Sequence, residues 1–339
     1  MRTRFAVIAL AGVAALSLAG CNPQGAAMGG GGDAASDEAA AVDAVNIIVP
    51  ADPGGGWDQT GRAVSTVLTD GDMVGTAAVS NIGGAGGTVG LASLANERDP
   101  FTLMVTGLVM VGAVETNAAE NRIEDTTPIA RLTEEPLVVV VPASSEYETL
   151  QDLVDAVVAD GQAVTITGGS AGGADHILAG LLLEEAGLDG AGITEKLNYI
   201  PNAGGGEAVS LLLGNNAAAG ISGVGEFAEY VESGDLRALA VSSDEAAQLL
   251  PEVPTMIDEG FDITYTNWRG LLAPGDISEA DAAGLIDLVT RMRETEGWQD
   301  ALETNGWTDA FLTGDEFTSF LDENITEVSG TLQNIGLIS

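Results

Sequence analysis

Short runs of aliphatic and β-branched residues alternate along the chain with segments whose apolar residues recur every three or four positions. The first run, 45–49, precedes a segment that places Ala63, Val64 and Leu68 on one helical face. This alternation is typical of an α/β protein with mostly parallel strands. The pattern predicts strands at 45–49, 77–79, 101–105, 136–141, 163–167, 196–200, 217–221, 237–241, 263–265 and 269–272, and helices at 58–68, 89–94, 150–158, 175–186, 206–213, 226–231, 279–293, 297–303 and 315–332.

The order of these units predicts two lobes that are joined by two crossing strands. We expect the crossings near residues 138–141 and 238–241, where strongly apolar strands fall close to the middle of the chain. Lobe 1 would then be discontinuous, with residues 44–142 and 243–339, and lobe 2 would comprise residues 143–242. One helix start has its own signal, because Thr149 precedes an apolar periodic segment as an N-cap residue does.

The N-terminal segment indicates export. Arg2 and Arg4 precede an apolar run, 5–18, that is too short to span a bilayer, and the run ends in Leu18-Ala19-Gly20-Cys21. We therefore predict a lipoprotein signal peptide at 1–20 and lipidation of Cys21, with an ordinary secretory signal and an incidental cysteine as the alternative. The Gly-, Ala- and acid-rich segment 21–43 predicts a flexible tether. Together these features predict a protein anchored by lipid at the extracytoplasmic face of the membrane.

The charge balance is strongly acidic. The chain has 11 basic and 51 acidic residues, a net charge of −40, and Lys196 is its single lysine. Nucleic acids and anionic lipid headgroups both need a basic surface, so neither is an expected partner. We interpret the acidity as a surface adaptation to a salty habitat, in which ions screen the self-repulsion.

Four glycine-rich loops, at 53–58, 81–87, 168–173 and 202–206, each follow a predicted strand and precede a predicted helix. In an open α/β sheet such loops lie at the carboxyl ends of the strands, where ligands bind. Glycine lets successive N–H groups converge on an anion at the positive end of the following helix. A single loop of this kind favours a tight turn, but four of them predict a shared anion-binding cleft.

Enzymatic alternatives fail on the same residues. Gly168-x-Ser170-x-Gly172 matches a nucleophile elbow, but the one histidine, His176, lies in the next helix and not late in the chain, where a catalytic base is expected. No glycine loop carries the Lys-Ser or Lys-Thr of a phosphate-binding loop or the complete dinucleotide fingerprint. One cysteine and one histidine do not make a Cys/His metal site. A calcium site made of carboxylates stays open, although no EF-hand spacing occurs. We predict no enzyme, no cofactor and no resident metal.

Several further motifs follow one another along the chain. They are Pro53-Gly54-Gly55-Gly56-Trp57-Asp58, Asn81 with its glycine loop, Gly173-Ala174-Asp175-His176, Gly204-Gly205-Gly206-Glu207-Ala208, Gly225-Glu226-Phe227, Leu236-Arg237-Ala238-Leu239-Ala240, Val253-Pro254-Thr255 and Asn267-Trp268-Arg269-Gly270 with Ala273-Pro274. In this order they resemble the periplasmic binding component of tripartite tricarboxylate transporters. The resemblance covers almost all of the chain after residue 44. It implies a type II periplasmic-binding fold, with two lobes of mixed, mostly parallel sheets that close over a carboxylic acid.

The resemblance also suggests which residues hold the ligand. The candidates are Gly54, Gly55, Gly56, Trp57, Asp58 and Asn81 in lobe 1; Ser170, Gly172, Gly173, His176, Asn202, Ala203 and Gly204 in lobe 2; and Trp268 and Arg269. Asp58 would order its loop, because a carboxylate repels an acidic ligand. His176 would either donate to the ligand or brace its helix. Arg269 would bind a carboxylate or form an ion pair inside a lobe.

The function implied is capture of a small organic acid for a pair of integral membrane subunits, one large and one small. Trp57 and the Asn-Trp-Arg-Gly segment resemble the branch that is named for citrate, so citrate is the expected ligand. Two alternatives stay open: a receptor for another carboxylate, such as a dicarboxylate or an aromatic acid, and the binding component of a membrane sensor. Whether a divalent cation accompanies the ligand also stays open.

Overall fold

A computed structural model describes residues 39–202 and 205–338. The predicted signal peptide, Cys21 and nearly all of the predicted tether lie outside these residues. The strands are β1 Ala44–Val49, β2 Thr76–Asn81, β3 Thr102–Gly107, β4 Thr127–Pro142, β5 Thr165–Gly168, β6 Asn198–Pro201, β7 Ala219–Gly223, β8 Leu236–Val241, β9 Thr266–Ala273 and β10 Thr308–Thr313. The helices are α1 Gly56–Asp70, α2 Thr88–Leu94, α3 Leu108–Thr116, α4 Leu150–Asp160, α5 Ala174–Glu185, α6 Gly190–Lys196, α7 Gly205–Leu213, α8 Val224–Glu232, α9 Glu279–Arg293, α10 Glu296–Asn305 and α11 Gly314–Asn334.

The strands form one mixed sheet, and the predicted α/β class is confirmed. Its order is β2-β1-β3-β9-β4-β7-β5-β6, with β10 and β8 also paired to β4. The pairs on both flanks are parallel, β1 with β2 and β3, and β5 with β6 and β7. Every pair that includes β4 or β9 is antiparallel.

The long strand β4 links two groups of strands. Its first part, as far as Pro136, pairs with β9, and from Leu137 onward it pairs with β7 and β8. We call β1, β2, β3, β9 and β10 the first strand group, and β5, β6, β7 and β8 the second. The last part of β4 has no polar alternation because its two faces are both buried: Val138 and Val140 pack in one core cluster, and Val139 packs in the other.

The chain returns from the second group to the first through residues 242–265, after β8 and not within it. Ser242, which is fully buried, lies at this return. Its hydroxyl accepts from the Leu137 N–H at 2.9 Å and donates to the Tyr265 carbonyl at 2.5 Å. The described residues belong to one compact unit, and the predicted division into two lobes at 142 and 243 stays a prediction.

Sequence signals for a helix cap or for an amphipathic face predicted the observed elements best. The predicted N-cap at Thr149 is confirmed: its side chain accepts from the Asp152 N–H, and Asp152 accepts from the Thr149 N–H at 2.9 Å.

Three elements had no predicted counterpart: α3, α6 and β10. Helix α3 is apolar on nearly every side and therefore gives no amphipathic period. Residues 263–265, predicted as a strand, precede β9 instead.

Within the described ranges, every helix falls short of the length or the apolar character that crossing a membrane requires.

Candidate functional site

A cavity of about 410 Å³ lies where the glycine loops meet. Residues from all four loops contribute to its wall, and both strand groups are represented. The lining residues are Pro50, Ala51, Asp52, Gly55, Gly56, Trp57, Gly84, Ala85, Gly86, Gly87, Val109, Asn117, Gly169, Ser170, Ala171, Asp175, Pro201, Asn202, Glu207, Ser222, Gly223, Glu226, Asn267 and Arg269.

Several helices begin at this wall. Gly55, Gly87 and Gly223 line the cavity and immediately precede α1, α2 and α8. The N-terminal end of a helix carries a partial positive charge and backbone N–H groups without a helical partner. The cavity is therefore suited to an anion in a chain with few basic residues.

Trp57 forms an apolar part of the wall. Its side chain is 7% exposed, and its ring packs against Gly87 of the second loop. A Cβ at Gly87 would lie 2.7 Å from the Trp57 ring, and Gly87 has a φ of +93°. Only glycine fits this position without a shift of the tryptophan.

Three predicted ligand residues lie behind the first loop and do not line the cavity. Asp58 is buried and accepts hydrogen bonds from the Gly54 N–H, the Asn81 amide and Arg62, each at 2.8–2.9 Å. Burial opposes ionisation of Asp58, but these hydrogen bonds outweigh it and lower its pKa. Gly54, Asp58 and Asn81 thus hold the loop in shape.

In the third loop, Ser170 lines the cavity, whereas Gly172, Gly173 and His176 do not. The Gly172 N–H donates to Nδ1 of His176 at 3.1 Å, and the imidazole stacks on Tyr199 with ring centres 4.1 Å apart. Burial lowers the pKa of His176 to about 4, so the ring is neutral at physiological pH. Of the two predicted roles for His176, the structure has the bracing one.

In the fourth loop, Asn202 lines the cavity. Its amide nitrogen donates to the Thr167 hydroxyl at 2.6 Å and to the Gly168 carbonyl at 2.9 Å. Asn202 therefore ties the fourth loop to the end of β5. Ala203 and Gly204 lie outside the described residues, so their predicted contact with the ligand stays a prediction.

Trp268 and Arg269 are neighbours on β9 with different surroundings. Trp268 is 2% exposed and does not line the cavity; its indole N–H donates to Asn324 at 2.9 Å, and its ring packs nearly perpendicular to the rings of Phe317 and Phe320. Trp268 is therefore a core residue, contrary to its predicted place at the ligand.

Arg269 lines the cavity and is also 2% exposed. Its Nη2 pairs with the buried carboxylate of Glu135 on β4. Burial raises the pKa of Glu135, and the Arg269 charge opposes that rise. Within the described part of the chain, Nε and Nη1 of Arg269 are buried and have no hydrogen-bond partner, and neither has Oδ1 of the neighbouring Asn267. A buried donor without a partner is costly, so these atoms mark a place for a polar group.

Residues that the sequence analysis did not assign to the ligand also line the cavity. Asp175 and Glu226 stand in the first turns of α5 and α8, and Ser222 and Gly223 end β7. Asp175 and Glu226 occur in the motifs of the family resemblance, and their position between a strand and a helix is the sequence signal that could identify them.

Among the described residues, no group of three or more His, Cys, Asp or Glu side chains has the arrangement of a metal site. The carboxylates of Asp175 and Glu226 accept from backbone N–H groups and a hydroxyl instead, and the buried Glu135 pairs with Arg269.

The chain is similar to known proteins in sequence and in fold. Residues 67–337 match the family described as tripartite tricarboxylate transporter family receptor. The chain is 32% identical over 239 residues to an Agrobacterium vitis protein described as a UPF0065 protein in the TAR-I ttuE-ttuC' intergenic region, which covers 68% of this chain and 66% of that one. Two solved structures share the fold: MatC from Rhodopseudomonas palustris with bound malate (TM-score 0.73, 20% identity, 85% of this chain and 98% of that one) and another R. palustris protein with adipate (TM-score 0.75, 17% identity, 86% and 97%).

Proposed function

This chain belongs to the tripartite tricarboxylate transporter receptor family, and we propose that it captures a small di- or tricarboxylate in the cavity between the glycine loops. Receptors of this family bind a solute and do not transform it, so the chain is a binding protein and not an enzyme. It would deliver the acid to a large and a small integral membrane subunit.

One observation carries the proposal: residues of all four glycine-rich loops line one cavity together with Arg269, two of whose buried donor atoms have no partner among the described residues. Arg269 already has one partner in Glu135 and keeps Nε and Nη1 for a second carboxylate. The volume of about 410 Å³ is within the range of small-molecule sites. Malate and adipate in two proteins of the same fold support an acid as the ligand.

Citrate is the proposed ligand, because the Trp57 loop and the Asn-Trp-Arg-Gly segment resemble the citrate branch. We expect calorimetric titration of the purified protein with citrate at high salt to show one site per chain. Parallel titrations with malate and adipate compare ligand classes, and titrations with and without magnesium test for an accompanying divalent cation.

As a control variant, Arg293→Gln removes a surface guanidinium that pairs with Asp309. Its affinity for citrate should equal that of the unaltered protein. Binding of malate or adipate without citrate would contradict the citrate assignment alone. Silence with all three acids would contradict carboxylate capture.

The proposal places the receptor outside the cytoplasm, held at the membrane by lipid on Cys21. Replacing Cys21 with serine is expected to move the protein from the membrane fraction to the soluble fraction, because the lipid chains supply the anchor. Cell fractionation and the mass of the mature N-terminal peptide measure both changes. Membrane retention of Cys21→Ser equal to that of the unaltered protein would contradict lipid anchoring.

A further inference from the structure

The wall of the cavity carries more acid than base. Among the described residues, Asp52, Asp175, Glu207 and Glu226 line it together with one guanidinium, that of Arg269. Glu135 already offsets the Arg269 charge. A ligand that presented carboxylates in every direction would meet like charges on this wall.

Glu226 occupies a donor that the first glycine loop would otherwise offer to the ligand. Its Oε1 accepts from the Gly56 N–H at 3.0 Å, and its Oε2 accepts from the Ser222 hydroxyl at 3.1 Å. Gly56 opens α1, beside the first strand group, whereas Glu226 belongs to α8, beside the second. The N-terminus of α1 thus faces a carboxylate that belongs to the protein.

Asp175 likewise occupies a backbone donor of the third loop. It is 7% exposed, and its Oδ2 accepts from the Gly169 N–H at 2.5 Å. Burial raises the pKa of Asp175 to about 7, so this carboxyl is partly ionised at neutral pH. When ionised, Asp175 and Glu226 can only accept hydrogen bonds, and a ligand group beside them has to donate.

We propose that Glu226 and Asp175 form an acceptor wall, which selects acids that carry a hydroxyl or ammonium donor next to their carboxylates. The inference rests on the proposed function: Arg269 binds a carboxylate of the ligand, and the acceptor wall accepts a hydrogen bond from the ligand's hydroxyl or ammonium group. An analogue without the donor leaves two carboxylates facing apolar or anionic ligand atoms. Sites built around a polar ligand group reject analogues without it strongly, because the carboxylates then lose their water partners and gain no donor from the ligand in exchange.

Three four-carbon dicarboxylates test the acceptor wall, because succinate, malate and aspartate differ only in a hydrogen, a hydroxyl and an ammonium at one carbon. Citrate and tricarballylate form a second pair that differs by one hydroxyl. We expect the unaltered protein to bind malate or aspartate at least about 10-fold more tightly than succinate, and citrate at least about 10-fold more tightly than tricarballylate. The malate and aspartate arms identify which donor the site prefers.

Glu226→Gln tests the residue itself. The glutamine oxygen can keep the bond to the Gly56 N–H, while its NH₂ replaces an acceptor with a donor. We expect the preference for the hydroxylated or aminated acid to fall below about 3-fold. Glu229→Gln, on the exposed face of the same helix, is the matched control and should keep the original preference.

Equal binding of succinate, malate and aspartate by the unaltered protein would overturn the acceptor wall and leave carboxylate capture standing, and this comparison does not depend on any variant folding. An unchanged preference in a folded Glu226→Gln would overturn the role of Glu226. Silence with every acid would overturn the proposed function and the inference together.

Discussion

Replacing Arg269 with glutamine is expected to abolish acid binding and to lower the free energy of unfolding by about 3 to 5 kcal/mol. Both effects have one cause, because this side chain serves the cavity and the core at once. It is 2% exposed and pairs with Glu135, which is 1% exposed. Without the guanidinium, the Glu135 carboxylate is buried with no opposite charge, and the ligand loses Nε and Nη1. Calorimetric titration and urea unfolding measure the two effects separately.

Two controls separate the structural role of Arg269 from its binding role. Glu135→Gln combined with Arg269→Gln removes both buried charges, so most of the stability should return while binding stays absent. Arg293→Gln removes a guanidinium whose side chain is 41% exposed, and should cost less than about 1 kcal/mol. Citrate affinity retained by Arg269→Gln would contradict the binding role, and unchanged stability would contradict the structural one.

Replacing Asp175 with asparagine is expected to stabilise the ligand-free protein above neutral pH by about 2 to 4 kcal/mol, with little effect near pH 4. Burial raises the pKa of this carboxyl from 3.8 to about 7. Between these values the folded state holds a proton that the unfolded state has released, so the contribution of Asp175 to stability falls as the pH rises through this window. An asparagine oxygen can accept from the Gly169 N–H without charge.

Urea unfolding at about pH 4.5 and about pH 8 measures the change, with salt held high to screen the net charge of −40. Asp155→Asn is the matched control, since Asp155 is exposed on α4, and its pH profile should follow that of the unaltered protein. An Asp175→Asn profile parallel to the unaltered one at both pH values would contradict a buried carboxyl with a raised pKa.

The glycine loops show how far local sequence leads toward the site. Each loop follows a strand and precedes a helix, and this order alone indicated that the loops would meet at one edge of a sheet. All four contribute residues to the cavity. The sequence did not indicate which residues of a loop face the cavity and which hold it from behind. Gly55 and Gly172 both belong to glycine-rich loops, yet Gly55 lines the cavity, whereas the Gly172 N–H donates to the His176 ring.

The sequence alone did not place acidic residues in the wall of the cavity. Glu226 occurs in a motif of the family resemblance, but the sequence assigned it no contact with the ligand. Its partner, the Gly56 N–H, is 170 positions away in the chain, and only the meeting of α1 with α8 explains the contact. Arg269 and Glu135 are 134 positions apart, and their pairing depends on the antiparallel contact of β9 with β4.

The sequence by itself determined the α/β class, most strands and helices, the glycine loops and the family, because each depends on periodicity or on residues that are close in the chain. Tertiary structure decided that β4 pairs with both strand groups, that Trp268 packs in the core and that His176 braces its loop. It also decided that the protein's own carboxylates lie among the residues that line the cavity. The physical reason is that side-chain direction and long-range pairing come from packing between elements. A run such as 137–141 reads as one apolar strand, although its alternate residues enter two different cores.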